Sequence, residues 1–392
     1  MLYRKYQILA ENGSTLYRFS KHLHNPVLIS STKGKTYVTM WVLRKVIRMK
    51  GISNTFPADK TLPVLDDWSL DMITAYSGSD RKEGLVSPEG HRYLVKYAEA
   101  HTRVNDLDTS YVNNVISEYV ASHILGIVGF EVHDTFIGTR NQNLLVACRN
   151  FTSGHQYLIE FGQYMRKHYD SGDIGRVPDI RQIEYILHND PVLCGYAEEL
   201  WDSYWERFIG DALVGNFDRH MGNWGYITDT ETKTVYVSPI YDNGSTLFPA
   251  LSEKGMREDV LPYPKEILKR TLLFPKAALT VNGRKASYLD MLSSGFVPSL
   301  DKAVRKVVPV ILDQLPAIRE FIDTQEFLSD TRKTFYKTML DVRAEYILKP
   351  AYECSVSGNY DADALDRLQN GIEYTEKDFE SLCAGAGHPA GN

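Results

Sequence analysis

The 392-residue sequence predicts an α+β protein with two lobes: a small β-rich lobe holding one long helix, then a large, mostly helical lobe. Three observations predict it. Strand-like runs rich in Val, Leu, Ile and Tyr cluster before residue 151. One run among them, "SYVNNVISEYVASHILGIVG", has helical spacing instead. After residue 152 helical patterns dominate, interrupted by the two short strands "WGYITD" and "TVYVSPIYD" around the turn "TETK".

Four regions follow. Residues 1–66 form a basic N-terminal segment and linker; 67–152 form the small lobe; 153–350 form the helical lobe. Residues 351–392 form a C-terminal extension whose tail, "CAGAGHPAGN", has the composition of a disordered end. The first segment reads as short strands and one helix, because "KTYVTMWVLRKVIRM" joins β-branched residues to a basic amphipathic run. "GISNTFPADKTLPVLDDW" reads as a linker, with a boundary near Asp66.

In the small lobe, "AYSGSDRKEGLV" reads as a loop and "HRYLVKYAE" as a strand. The long run places Val112, Val115, Ile116, Tyr119, Val120, Ile124 and Leu125 at helical spacing and stops at Gly126 or Gly129. "EVHDTFIGT" and "NLLVACRNF" read as a hairpin across "RNQN". In the large lobe "DIRQIEYILHN" starts at an Asp cap, and "YAEELWDSYWERFIGDALVGNF" is amphipathic. "SLDKAVRKVVPVILDQL" and "RKTFYKTMLDVRAEYIL" are further helices.

Composition narrows the classes of function. An apolar share of 43% provides a sizeable core. No apolar run approaches the ~18 residues of a membrane span, and no signal-peptide pattern opens the chain. Cys148, Cys194, Cys354 and Cys383 lie far apart with no C-x-x-C. A disulfide framework or zinc site is therefore not expected, and a reducing cytoplasm is. Residues 1–50 hold ten Lys/Arg and one acid, a charge of +9, which leaves −15 for the rest. That asymmetry points to an acidic or nucleic-acid partner for the segment, or to docking on the chain's own acidic body.

The chemistry is concentrated in "GNFDRHMGNWGYI" and the later "YDNG". Phosphoryl transfer needs a carboxylate to orient the attacking hydroxyl, oxygen ligands for magnesium, and a lysine against phosphate. Asp218 supplies the first. Asn223, five residues on, and Asp242, beyond the hairpin, supply metal ligands. Lys96 sits mid-strand, and Glu118 on the following helix can pair with it. The loop "SGSDRKEG", with Ser77, Gly78, Ser79 and Lys82, lies where a phosphate-covering loop belongs, although it lacks G-x-G-x-x-G. Taken singly, each residue has a plainer reading: an isolated Asp is more often a cap, and a strand lysine more often an edge residue. His220 reads as an orienting hydrogen-bonder in its loop rather than a general base, and His133 and His155 as structural. The joint order of loop, Lys, helix Glu, D-R-H-x-x-N, hairpin and Y-D-x-G is what favours an ATP- and Mg2+-dependent kinase fold.

With "YLVKY", "NNVISEYVASHILG" and "VACRNF" added, residues 70–345 resemble the HipA-like serine/threonine kinases. The resemblance implies Asp218 as catalytic base, Asn223 and Asp242 as magnesium ligands and Lys96 as the phosphate lysine. It implies that Arg149, Asn150 and Phe151 form the hinge holding adenine. It further implies autophosphorylation at Ser77 or Ser79, a protein target, and toxin action checked by an antitoxin protein. Family toxins carry a larger β-rich N-terminal subdomain where this chain has a short basic segment, which leaves antitoxin and target open. Two alternatives stand at this point. One is a phosphoinositide- or small-molecule kinase, which D-R-H-x-x-N also resembles. The other is a catalytically silent kinase-like binding module whose N-terminus contacts nucleic acid.

Overall fold

The computed structural model describes residues 62–72, 82–98, 114–172, 174–175, 177–372 and 379–381, together with four strand segments in the first 61 residues. The chain divides into two compact units, Met1–Thr61 and Leu62–Asn392. In the first unit β1 (Ala10–Glu11), β2 (Ser14–Tyr17), β3 (Val27–Thr32) and β4 (Lys35–Tyr37) pair antiparallel in chain order. The basic amphipathic run after Tyr37, read as a helix, lies outside the described residues.

The second unit opens with an antiparallel five-stranded sheet. Its strands are β5 (Ser69–Leu70), β6 (Lys82–Val86), β7 (Arg92–Tyr97), β8 (Thr135–Arg140) and β9 (Asn143–Arg149), in the spatial order β5-β6-β7-β9-β8. Residues 63–65 are tied to its edge: Leu65 N–H donates to Thr139 O and Thr139 N–H to Pro63 O, each at 2.8 Å. Leu65 is fully buried, so the boundary expected near Asp66 falls inside this unit. The β8–β9 turn uses Asn141 and Gln142 at φ 48° and 63°, the positive pair that a two-residue hairpin requires.

Strand alternation separates two environments. Leu85, Val95, Tyr97, Leu145 and Ala147 form a small core on one face, covered by Trp68, Tyr93 and Phe136. The other face carries Lys96, whose register partners are Lys82 on β6 and Val146 on β9. Lys82 therefore heads a strand and shares a face with Lys96, rather than lying in the loop that the sequence suggests.

Helix α1 (Asn114–Val128) packs on that face against β8 and β9, and on its far side against α7 (Pro298–Thr324) of the large lobe. Cover on two sides explains why it is buried nearly all round, polar residues included. The main core continues from α1 through α4 (Ala197–Val214), past α5 (Pro264–Leu272) and α6 (Tyr288–Ser293), to α7 and α8 (Asp330–Arg343). Helix α3 (Ile180–Asn189) starts at Asp179, as expected, with Gln182 completing a capping box. Helices α9 (Lys349–Ser357) and α10 (Ala362–Asn370) form part of the C-terminal extension; residues 382–392 lie outside the described residues.

One element differs from the sequence reading. Beside the expected hairpin β11 (Gly225–Asp229) and β12 (Thr234–Val237) runs a third strand, β10 (Gln156–Glu160), antiparallel to β11. It runs directly into helix α2 (Phe161–His168), so no turn residues marked its end. Gly225 permits the pairing: a Cβ there would lie 2.2 Å from Ile159 O.

Candidate active site

Lys96 and Glu118 meet as their elements dictate. The Lys96 ammonium donates to Glu118 Oε2 at 2.8 Å and to Asp242 Oδ1 at 2.8 Å. Glu118 is fully buried, the Lys96 side chain is 12% exposed, and that of Asp242 is 40% exposed, so the triad runs from core to cleft. Burial alone would lower the Lys96 ammonium. Asp242, then Glu118, outweigh it and hold its pKa well above the usual lysine range. Burial would likewise raise the Glu118 carboxyl, but Lys96 and His133 hold it well below the usual carboxylate range. The second Glu118 oxygen accepts from Asn243 N–H at 2.8 Å and lies 3.1 Å from His133 Nε2. Ser122, one turn beyond Glu118, accepts from Asn243 Nδ2 at 2.9 Å and also lies 3.1 Å from His133 Nε2.

The loop after α4 is braced by Arg219. Helix α4 ends at Gly215, φ 65°, so the chain turns sharply back beneath the helix. Arg219 is buried, and its guanidinium donates to Asp211 on α4, at 3.0 Å from Nε and 2.8 Å from a terminal nitrogen. Its remaining N–H groups reach Asn223 O (3.1 Å), Asn243 Oδ1 (2.6 Å), Asp242 O (3.3 Å) and Tyr241 O. One planar cation thus joins helix, loop and the Tyr241-Asp242-Asn243 segment. Asp242 takes φ 56°, an uncommon conformation for a non-glycine residue, between two such anchors.

Within the loop, Asp218 N–H donates to Asn216 Oδ1 at 3.0 Å, and Asn223 Nδ2 to Asp218 O at 2.8 Å. His220 Nδ1 accepts from Gly222 N–H at 3.0 Å, which assigns the ring proton of neutral His220 to Nε2 and suits an orienting residue. Of the three residues expected at the hinge, two have their backbone N–H groups engaged within the small lobe. Arg149 N–H donates to Asp134 O and Asn150 N–H to Arg92 O, and the Arg149 side chain lies out beside His91. Phe151 faces Tyr241, with ring centroids 5.7 Å apart. Ser77, Gly78 and Ser79 lie outside the described residues.

Several contributors were missed in the sequence. His133, read as structural, contacts Glu118 directly. Asp211 carried a usable signal, since it is an acid on the buried side of an amphipathic helix. Glu160 at the end of β10 is half-buried; burial raises its carboxyl, against the opposing pull of Arg166 and His220. Cys148, two residues beyond Val146 on β9, shares the face of Lys96. Burial, then Glu118, push its thiol well above the usual range. Glu118, His133 and Cys148 bring ligand-type atoms within 4.8 Å of one another, but both Glu118 oxygens are already committed to the clamp. Among the described residues Cys148, Cys194 and Cys354 are free thiols.

A strand lysine paired with a helix glutamate above a loop carrying Asp218 and Asn223 is the arrangement of a two-lobed, kinase-like enzyme. No family model matches the chain. The serine/threonine-protein kinase CtkA of Helicobacter pylori strain J99 is 31% identical over 295 residues, which cover 72% of this chain and 88% of CtkA. The crystal structure of the proinflammatory kinase CtkA from Helicobacter pylori aligns over 76% of this chain and 99% of its own, with 27% identity and a TM-score of 0.69. The chain therefore belongs to the serine/threonine-protein kinase family of its relative CtkA. More distantly, the HipA structure from Shewanella oneidensis MR-1, a complex with HipB and operator DNA, covers 80% of this chain and 72% of its own. Its identity is 16% and its TM-score 0.47.

Proposed function

We propose that this kinase transfers phosphate from ATP, with Mg2+, to serine or threonine on a protein target and to its own loop at Ser77 or Ser79. The observation that supports this most is the convergence of Lys96, Glu118 and Asp242 at 2.8 Å contacts, next to the loop of Asp218 and Asn223. The donor set suits a hard cation. Asn223 spends its Nδ2 on Asp218 O, which leaves its side-chain oxygen, and Asp242 offers a carboxylate open to the cleft. Magnesium held there would offset charge on the transferring phosphates.

Each residue then has one task. Lys96, kept protonated by its two carboxylates, holds phosphate oxygens by charge. Glu118 fixes the direction of the ammonium. Asp218, whose backbone is anchored on both sides by Asn216 and Asn223, presents its carboxylate to the attacking hydroxyl and accepts its proton. His220 stiffens the loop through Gly222. The Phe151 and Tyr241 rings offer apolar faces to adenine. Among the described residues no helix is long and apolar enough to cross a membrane. A toxin role and an antitoxin partner rest on the family resemblance. Nucleic-acid contact rests on the +9 charge of residues 1–50, and such contact should weaken steeply with salt.

The test is incubation with labelled ATP and Mg2+, alone and with cell lysate, followed by mass spectrometry. Asp218→Asn should keep nucleotide binding and lose on the order of 10²–10⁴ in rate. Wild-type turnover in that variant would overturn the assignment. Active protein that gains no phosphate on Ser77 or Ser79 would remove the autophosphorylation step.

A further inference from the structure

We infer that Phe321, Gln325 and Phe327, at the end of α7 and just beyond it, are positioning residues that hold Glu118 engaged by gripping the far side of α1. This rests on the Lys96–Glu118 reading above. Helix α1 presents two rows of side chains. Glu118 and Ser122 form one row, and both bond to Asn243. Tyr119 and His123 form the other, about 100° around the helix. The second row meets the large lobe. The His123 ring stacks on Phe321 at 5.3 Å with 14° between planes. Tyr119 lies edge-on to Phe327 at 5.5 Å and 6.1 Å from Phe321. Its hydroxyl donates to Gln325 Oε1 at 3.3 Å, in a buried setting. Gln325 is itself held, because its Nε2 donates to Phe321 O at 2.8 Å.

The two rows belong to one rigid helix. A roll or slide that withdraws Glu118 from Lys96 must therefore drag Tyr119 and His123 across Phe321 and Phe327. Close-packed aromatic contacts do not deform continuously, so α1 is held from both lobes at once. His123 adds a third tether, with Nε2 donating to Thr135 O at 3.2 Å on β8. The Lys96–Glu118 pair is thus assembled by the fold, with no swing of the helix needed to complete it.

The test is a double-mutant cycle on the full-length protein, reading kcat and KM for ATP. Glu118→Gln removes the charge of the clamp, and Phe321→Ala removes the stacking partner. Phe321→Ala in the wild-type background should lower kcat/KM by about two- to tenfold, the weight of one or two aromatic pairs. In the Glu118→Gln background the same change should have no further effect, because the grip acts through Glu118. A merely structural role would instead lower activity by the same factor in both backgrounds, and that result overturns the inference. If Phe321→Ala unfolds, Tyr119→Phe deletes only the hydroxyl that bonds Gln325 and carries the same cycle with a smaller factor. If Glu118→Gln alone leaves turnover intact, the clamp reading fails, and this inference fails with it.

Discussion

Removing the Asp211 carboxylate tests the brace that holds the loop of Asp218 and Asn223. Asp211 and Arg219 are both nearly buried, with side chains 4% and 6% exposed. Asp211→Ala leaves the guanidinium in place without its counter-charge, and breaking such a buried pair costs about 3–5 kcal/mol. At about 2–4 °C per kcal/mol for a domain of this size, the melting temperature should fall by roughly 6–20 °C. Asp211→Ala with Arg219→Met removes the stranded charge and should recover part of that loss. Activity should not recover, since Arg219 also bonds Asn223 O and Asn243 Oδ1, and without them the loop loses its fixed distance from Asp242. Thermal denaturation and kinase rate, measured on both single variants and the pair, separate the effects. A double variant as active as the wild type, or an Asp211→Ala protein as stable as the wild type, would refute the reasoning.

Three further outcomes are expected. Asp242→Ala should weaken Mg2+-dependent ATP binding more than Asn223→Ala, since a carboxylate is the stronger ligand for a hard cation; calorimetry at limiting Mg2+ checks this. Gly225→Ala puts a methyl group 2.2 Å from Ile159 O, so β10 must part from β11 at a cost of about 1–3 kcal/mol, read from the denaturation midpoint. Glu160 has a raised folded-state pKa, caused first by burial. Its ionisation therefore costs stability, and that cost is absent below the ordinary carboxylate pKa of about 4.3 and grows as pH rises through the raised value. Glu160→Gln should then gain melting temperature over wild type at neutral pH and show no gain in acid, as a pH series of melts would reveal.

The linear sequence by itself determined the lobes, most helices and the order of the chemical groups. Those features depend on local patterns: the spacing in "NNVISEYVASHILG", the Asp179 cap, and the five-residue interval from Asp218 to Asn223. The Lys96–Glu118 pair was legible from the order of motifs, a strand lysine and then a helix glutamate ahead of D-R-H-x-x-N and Y-D-x-G. Tertiary structure decided what depends on contacts between distant segments. His133 has no local signal and acquires its place because β8 begins beside the helix that carries Glu118. Strand β10 exists because β11 offers a partner and Gly225 allows the approach. Arg219 reads as one more basic residue in "DRHMGN". Only the fold converts it into the brace of the site, because a buried guanidinium must find an acceptor for each N–H, and here they come from three separate stretches of chain.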